Sequence, residues 1–126
     1  MTKKSMIILY VRDQEKSKTF YEGILNKKPV LHVPGMTEFE LGGDVLLGLM
    51  PEKSISKILE GKTPSPETGN GIPRCELYLI VEDVNIAYQR AISSGAKEVS
   101  APSARDWGDH VGYCSDPDGH ILAFAN

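Results

Sequence analysis

Apolar and polar positions along the chain follow two rhythms that occur twice in the same order. Met6-Ile-Ile-Leu-Tyr-Val11 is an unbroken apolar run rich in β-branched and aromatic residues, which predicts a strand covered on both faces. Arg12-Asp13 ends the run and opens a helix, with Asp13 as N-cap and Glu15 at the positive end of the helix dipole. Lys16 stands three residues past the cap, so a reciprocal capping box is absent. The helix runs to about Leu25, with Phe20, Ile24 and Leu25 on its apolar side. After Pro29 come three short strand patterns near 30–34, 37–41 and 44–50, separated by the turn signals Pro34-Gly35 and Gly42-Gly43-Asp44. The first half therefore reads β-α-β-β-β.

Residues 61–73 hold three Gly and three Pro among thirteen positions, the composition of a linker or mobile loop. Lys53 to Glu60, just before it, has Ile55, Ile58 and Leu59 on one side and suits a short helix. The pattern then restarts. Cys75-Glu-Leu-Tyr-Leu-Ile-Val81 predicts a strand, Asp83 caps a helix that runs to Ser94, and Gly95 occupies the usual C′ position. Strands follow near 97–101, 110–115 and 120–125, the last two joined by the turn Asp116-Pro-Asp-Gly119. Val11-Arg-Asp13 aligns with Val81-Glu-Asp83 at an offset of 70, and the repeated order of elements makes a duplicated module the natural reading. The modules are expected at about 5–51 and 75–126, with 52–74 as linker, inside one domain spanning 1–126.

Composition narrows the function classes. With 40% apolar and 25% charged residues the chain matches globular averages and does not suit disorder. The formal charge of −3 and the scattered basic residues do not suit a nucleic-acid partner. The run from Met6 to Val11 is too short to cross a bilayer or to serve as the apolar part of a secretory signal, so no membrane partner and a cytoplasmic location are expected. Cys75 and Cys114, each within a strand pattern, are expected as reduced, buried structural thiols.

The opening Val11-x-Asp13 followed by Ser17-x-x-Phe20-Tyr21, the helix Ala87-Tyr-Gln-Arg-Ala-Ile-Ser-Ser-Gly-Ala96 and the closing Gly112-Tyr-Cys-Ser-Asp-Pro-Asp-Gly-His-Ile-Leu-Ala-Phe124 resemble the vicinal oxygen chelate superfamily. That superfamily includes glyoxalase I, bleomycin-resistance proteins, fosfomycin-resistance enzymes and extradiol dioxygenases. The resemblance covers nearly the whole chain. It implies an α+β fold of two βαβββ modules whose mixed sheets curl around a cavity, with helices on the outer face, and a homodimer. If its ligand-bearing face holds here, Met6, Ile8, Tyr10, Glu76, Tyr78, Ile80, Val111, Tyr113, Ile121, Ala123 and Ala125 look into the cavity. The odd residues of the first strand, Ile7, Leu9 and Val11, and Leu77, Leu79, Val81, Leu122 and Phe124 would pack under the helices.

Enzymes of that superfamily hold a divalent metal through His or Glu early in the first and fifth strands and late in the fourth and eighth. The corresponding positions here are Met6, Glu76, Leu47 and Ala123, of which Glu76 alone suits such an ion. His32, His110 and His120 lie on separate segments without ligand spacing, so no metal site and no cofactor are expected. Glu76 is either a ligand contact, a proton acceptor whose pKa burial raises, or a structural partner of Arg74, Arg105 or a tyrosine. Tyr10, Tyr78 and Tyr113 give an apolar wall with hydroxyl handles, or else fill a core. In Ser103-Ala-Arg-Asp-Trp-Gly-Asp-His110, Trp107 suits stacking on a planar ligand and Arg105 suits an anionic group; the plainer role of Trp107 is to anchor the loop. Asp116 and Asp118 read as turn formers.

Two function classes fit this set. One is metal-independent binding of a small organic molecule in a cavity of the dimer, as bleomycin-resistance proteins sequester a drug. The alternative is a metal-dependent glyoxalase-like lyase, transferase or dioxygenase. A metal-free enzyme with Glu76 as base stays open beside them.

Overall fold

A computed structural model describes residues 1–126 and divides them into two compact units, Met1–Asn70 and Gly71–Asn126. In the first unit the order is β1 (Ser5–Val11), α1 (Gln14–Leu25), β2 (Leu31–Val33), β3 (Met36–Gly42), β4 (Val45–Pro51) and α2 (Glu52–Ile58), followed by a 3-10 turn at Pro66–Gly69. In the second it is β5 (Glu76–Ile80), α3 (Val84–Ser93), β6 (Lys97–Ala104), β7 (His110–Ser115) and β8 (Ile121–Ala125). Each unit is thus a βαβββ module, as the repeated pattern predicts. Each carries one four-stranded mixed sheet, ordered β1-β4-β3-β2 and β5-β8-β7-β6, and neither sheet closes on itself.

Both long helices start as their caps dictate. Asp13 and Asp83 are extended, and each side chain accepts a backbone N–H three residues on, from Lys16 and Ile86, at 3.0 Å. The chain therefore leaves β1 and β5 and turns directly into a helix that crosses its sheet. That crossover lets β4 and β8 run parallel beside β1 and β5, while the other pairings in each sheet are antiparallel.

Strand phase settles which residues the helices cover. In the first unit Leu9, Val11, Thr37, Phe39, Leu47 and Leu49 are almost wholly buried, with Phe20, Tyr21 and Ile24 of α1 buried alongside. Phe20 and Tyr21 meet edge to face at 5.1 Å. The opposite face is open: Met6, Ile8 and Tyr10 are 38%, 38% and 37% exposed. A Cβ built on Gly48 would lie 3.0–3.2 Å from the side chains of Met6, Ile8 and Met36, which places all four residues on this open face. In the second unit Val84, Ala87, Tyr88 and Ala91 of α3 are buried, as are Leu77, Cys114, Leu122 and Phe124 of the sheet. Gly112 is needed there for space: an added Cβ would sit 2.8 Å from both Tyr88 and Pro102.

Three expectations change. Segment 52–74 is a linker by composition, yet α2 packs on β1 and β4, and the 3-10 turn packs on α2, so residues up to Asn70 belong to the first unit. The sixth strand is longer than its pattern suggests, running to Ala104 through two register shifts against β7. Cys75 is exposed rather than buried, because β5 begins at Glu76 on the sheet edge and leaves the thiol at the strand's free end. Cys114, on an inner strand, is fully buried; burial, with a contribution from Asp116, pushes its thiol up to about 11.

The Asp116-Pro-Asp-Gly119 turn forms with Asp116 as its hub. Its Oδ1 accepts the backbone N–H groups of Asp118 and His120 at 2.9 Å each, and its Oδ2 meets His120 Nδ1 at 2.7 Å. Gly119 has φ +92°, and a Cβ there would lie 2.5 Å from the carbonyl oxygen of Gly71. Gly119→Ala is therefore expected to destabilise the second unit by about 1–3 kcal/mol in urea unfolding, from left-handed backbone strain alone before the clash is counted. Gly48→Ala, whose Cβ meets side chains rather than backbone and needs no left-handed φ, is expected to cost less. In the native state a disulfide reagent at pH 8 should titrate Cys75 alone, and both thiols after denaturation.

Candidate functional site

The open face of the second sheet gathers most of the residues that the sequence singles out. Ala123 lies in register with Tyr78 on one side and Tyr113 on the other, so a methyl group separates two phenol rings. Beneath them Val111, Ala123 and Ala125 form a fully buried apolar cluster, with Tyr113 packed against it. Small residues on β8 thus leave room for the two tyrosines on its flanking strands.

The β6–β7 connection completes the face. Gly108 N–H donates to the carbonyl of Arg105 at 3.1 Å, and Arg105 N–H to that of Asp109 at 2.8 Å, which closes a tight turn. The turn lays Trp107 over β5, where its Nε1–H donates to the Tyr78 hydroxyl at 3.0 Å. That hydroxyl in turn donates to Asp109 Oδ2 at 2.6 Å. Trp107 stays 55% exposed and Tyr78 37%, so both rings are held in place yet presented to solvent. The Asp109 hydrogen bond raises the Tyr78 phenol above its ordinary pKa; partial desolvation adds to this and the indole N–H opposes it.

Arg105 does something other than await an anion. Its Nε and Nη2 donate to the carbonyl of Val111 at 3.2 and 2.8 Å, and Nη2 also reaches Ser100 Oγ at 3.0 Å and the Ala101 carbonyl at 3.2 Å. Its Cζ lies 5.1 Å from the Tyr113 ring centre. The guanidinium ties the end of β6, where the register shifts, to β7. It is a clamp for the turn that carries Trp107 and Asp109.

Glu76 shares the open face with Tyr78 but is exposed, at the start of an edge strand. Met6, Ile8 and Tyr10 form the corresponding open face of the first unit. Leu47 does not join them. It pairs with Ile7 and Phe39, is fully buried, and faces α1. Counting forward from Gly43 misses by one residue, which in a strand moves a side chain to the other face. The position equivalent to Ala123 is Gly48, since Ile8 pairs with Gly48 as Tyr78 pairs with Ala123. Asp109 is the site residue that sequence reasoning passed over. Its signal was the Trp-Gly-Asp order itself, in which a tight turn returns the carboxylate to the side where the indole lies.

Two of the three histidines are tied into the scaffold. His32 bridges Thr37 Oγ1 and Glu15 Oε1, each at 2.7 Å, and His120 is bound to Asp116. Asp116, Asp118 and His120 bring three donor atoms within 4.8 Å of one another, but the hydrogen bonds of the turn already account for that grouping.

An α+β module of this order, repeated once, defines a class, and sequence comparison gives it a family. The Glyoxalase/Bleomycin resistance protein/Dioxygenase superfamily matches residues 5–124, and the chain belongs to that superfamily. Among solved structures the fold is similar to that of a glyoxalase-related enzyme from Fulvimarina pelagi (TM-score 0.84, 22% identity, 99% of this chain and 88% of that one). It is also similar to a protein of unknown function from Agrobacterium tumefaciens (TM-score 0.76, 26% identity, 94% and 89%). An uncharacterized protein of Mycobacterium bovis is 35% identical over 72 residues, 57% of this chain and 47% of that protein. The aligned stretch thus spans about half the length of that curated relative.

Two outcomes test the geometry. Asp109→Asn should bring the Tyr78 phenol back towards its ordinary pKa, read as an earlier tyrosinate absorbance step in an alkaline titration. Arg105→Lys keeps the charge but loses the fork, and should red-shift the emission of Trp107, the single tryptophan, as the turn loosens.

Proposed function

We propose that the protein binds a small organic molecule on the open face of its second sheet without a metal ion. The observation that carries this reading is the half-exposed aromatic pair Tyr78 and Trp107, held by the Trp107–Tyr78–Asp109 chain of hydrogen bonds above a packed apolar cluster. Rigid aromatic faces beside polar groups of fixed orientation are what recognition of an aromatic or amphipathic molecule requires. Sequestration of an antibiotic is a use that such a face supports, and the cytoplasm is the proposed location.

The metal chemistry of the superfamily does not fit the residues present. Once strand phase is corrected, the four positions are Met6, Gly48, Glu76 and Ala123: one carboxylate, one thioether and two residues without a donor. A second copy of the chain is the proposed partner, its role being to cover apolar side chains such as Met6, Ile8 and Ile80, the last 72% exposed.

Protein purified without a histidine tag should carry no near-stoichiometric Zn, Ni, Mn or Fe by elemental analysis; a stoichiometric metal would overturn the metal-free reading. A panel of aromatic compounds should quench or shift Trp107 emission, and Tyr78→Phe should weaken the responders by roughly three- to tenfold, the loss of about one hydrogen bond. Light scattering at micromolar concentration should give a dimer mass.

A further inference from the structure

We propose that the molecule bound on the Tyr78–Trp107 face is an organic cation, an amine or quaternary ammonium carried on an aromatic or apolar frame. This rests on the reading of that face as the binding site. The donors of Trp107 and Tyr78, and the Nε and Nη2 donors of Arg105, are already committed. Trp107 Nε1–H goes to the Tyr78 hydroxyl, and the Tyr78 hydroxyl goes to Asp109 Oδ2. Arg105 directs Nε and Nη2 at backbone carbonyls and Ser100 and lies over Tyr113. What the face offers to a newcomer is acceptors and π-surface: the second carboxylate oxygen of Asp109, the exposed carboxylate of Glu76 two residues before Tyr78, and the ring faces of Trp107 and Tyr78.

An anion placed there would meet two carboxylates, with the one guanidinium of the face spent on its own backbone. Arg74 precedes β5 and offsets at most one of those charges. A neutral ligand would leave both carboxylates uncompensated as water is displaced, which opposes binding. A cation satisfies them and gains cation–π attraction from the indole and phenol faces. The charge distribution agrees. Residues 71–126 hold four basic and eight acidic side chains, a formal −4, while residues 1–70 hold ten basic and nine acidic, a formal +1. The field that steers a charged ligand to the second unit therefore favours a positive one.

Three probes of similar size test this: benzyltrimethylammonium, benzyl alcohol and phenylacetate, titrated into the full chain. Trp107 emission and its indole N–H resonance report binding. The cation should bind about tenfold more tightly than benzyl alcohol, phenylacetate should bind most weakly, and added salt should weaken the cation alone. Asp109→Asn, which keeps an acceptor for Tyr78, should weaken the cation several-fold more than it weakens benzyl alcohol. Glu76→Gln, at an exposed position, gives the same comparison without touching the hydrogen-bond chain. If benzyl alcohol or phenylacetate equals the cation, or if neither variant weakens it, the cation inference falls and the binding face stands. If none of the three perturbs Trp107, the binding face falls and takes the inference with it.

Discussion

Parallel pairing of β1 with β4, and of β5 with β8, is the constraint on which the other features of each unit depend. Partners in such a ladder carry their side chains on the same side, so one register decides the face of every residue in both strands. Leu9, Val11, Leu47 and Leu49 fall in one phase and are sealed beneath α1; Met6 and Ile8 fall in the other and stay partly exposed, their side chains covering Gly48. A shift of either strand by one residue would turn its two large apolar side chains out to solvent. The cost of that exposure, about 1.5–3 kcal/mol for each side chain, is large against the whole stability of a small domain. The helix caps at Asp13 and Asp83 make the parallel arrangement possible by sending the chain straight from strand to crossover.

The candidate site is a consequence of that phase in the second unit. Tyr78 and Tyr113 flank Ala123 because the register brings all three into one row, and they reach outward because α3 occupies the other face. Order in the turn comes from elsewhere. Where the ladder between β6 and β7 shifts register, Arg105 donates to the carbonyls of Ala101 and Val111, and the same guanidinium settles over Tyr113. A residue that looks like an anion receptor thus becomes the reason that Trp107 and Asp109 hold a fixed position. With the positive charge committed inward, the chemistry left on the surface is carboxylate and aromatic.

Membership of the glyoxalase and bleomycin-resistance superfamily accounts for the duplicated module but does not choose a chemistry, because the fold hosts several. The proposed reading rests instead on the residues of the open faces. Superfamily enzymes rely on converging metal donors; here the equivalent places hold a thioether, a glycine, a carboxylate and an alanine. Recognition by ring faces and carboxylates is the chemistry that the remaining side chains support.

Much of this was legible in the residue order. Short-range rules sufficed for the βαβββ repeat, both N-caps, the Gly95 stop and the Asp116 turn, because each depends on groups within a few residues of one another. Alternation along β5 likewise placed Tyr78 opposite Leu77. Three features depended on contacts between distant segments. Leu47 was misassigned because its face is set by pairing with Ile7 and Phe39, not by distance from a glycine. Cys75 was taken as buried because an edge strand and an inner strand share one composition, and only sheet order distinguishes them. Arg105 and Asp109 exchanged importance because a side chain's free charge depends on which acceptors lie nearby. Local chemistry could specify the strands, helices and turns of this protein. The partner of each strand and the destination of each charged group emerged only when segments tens of residues apart were packed together.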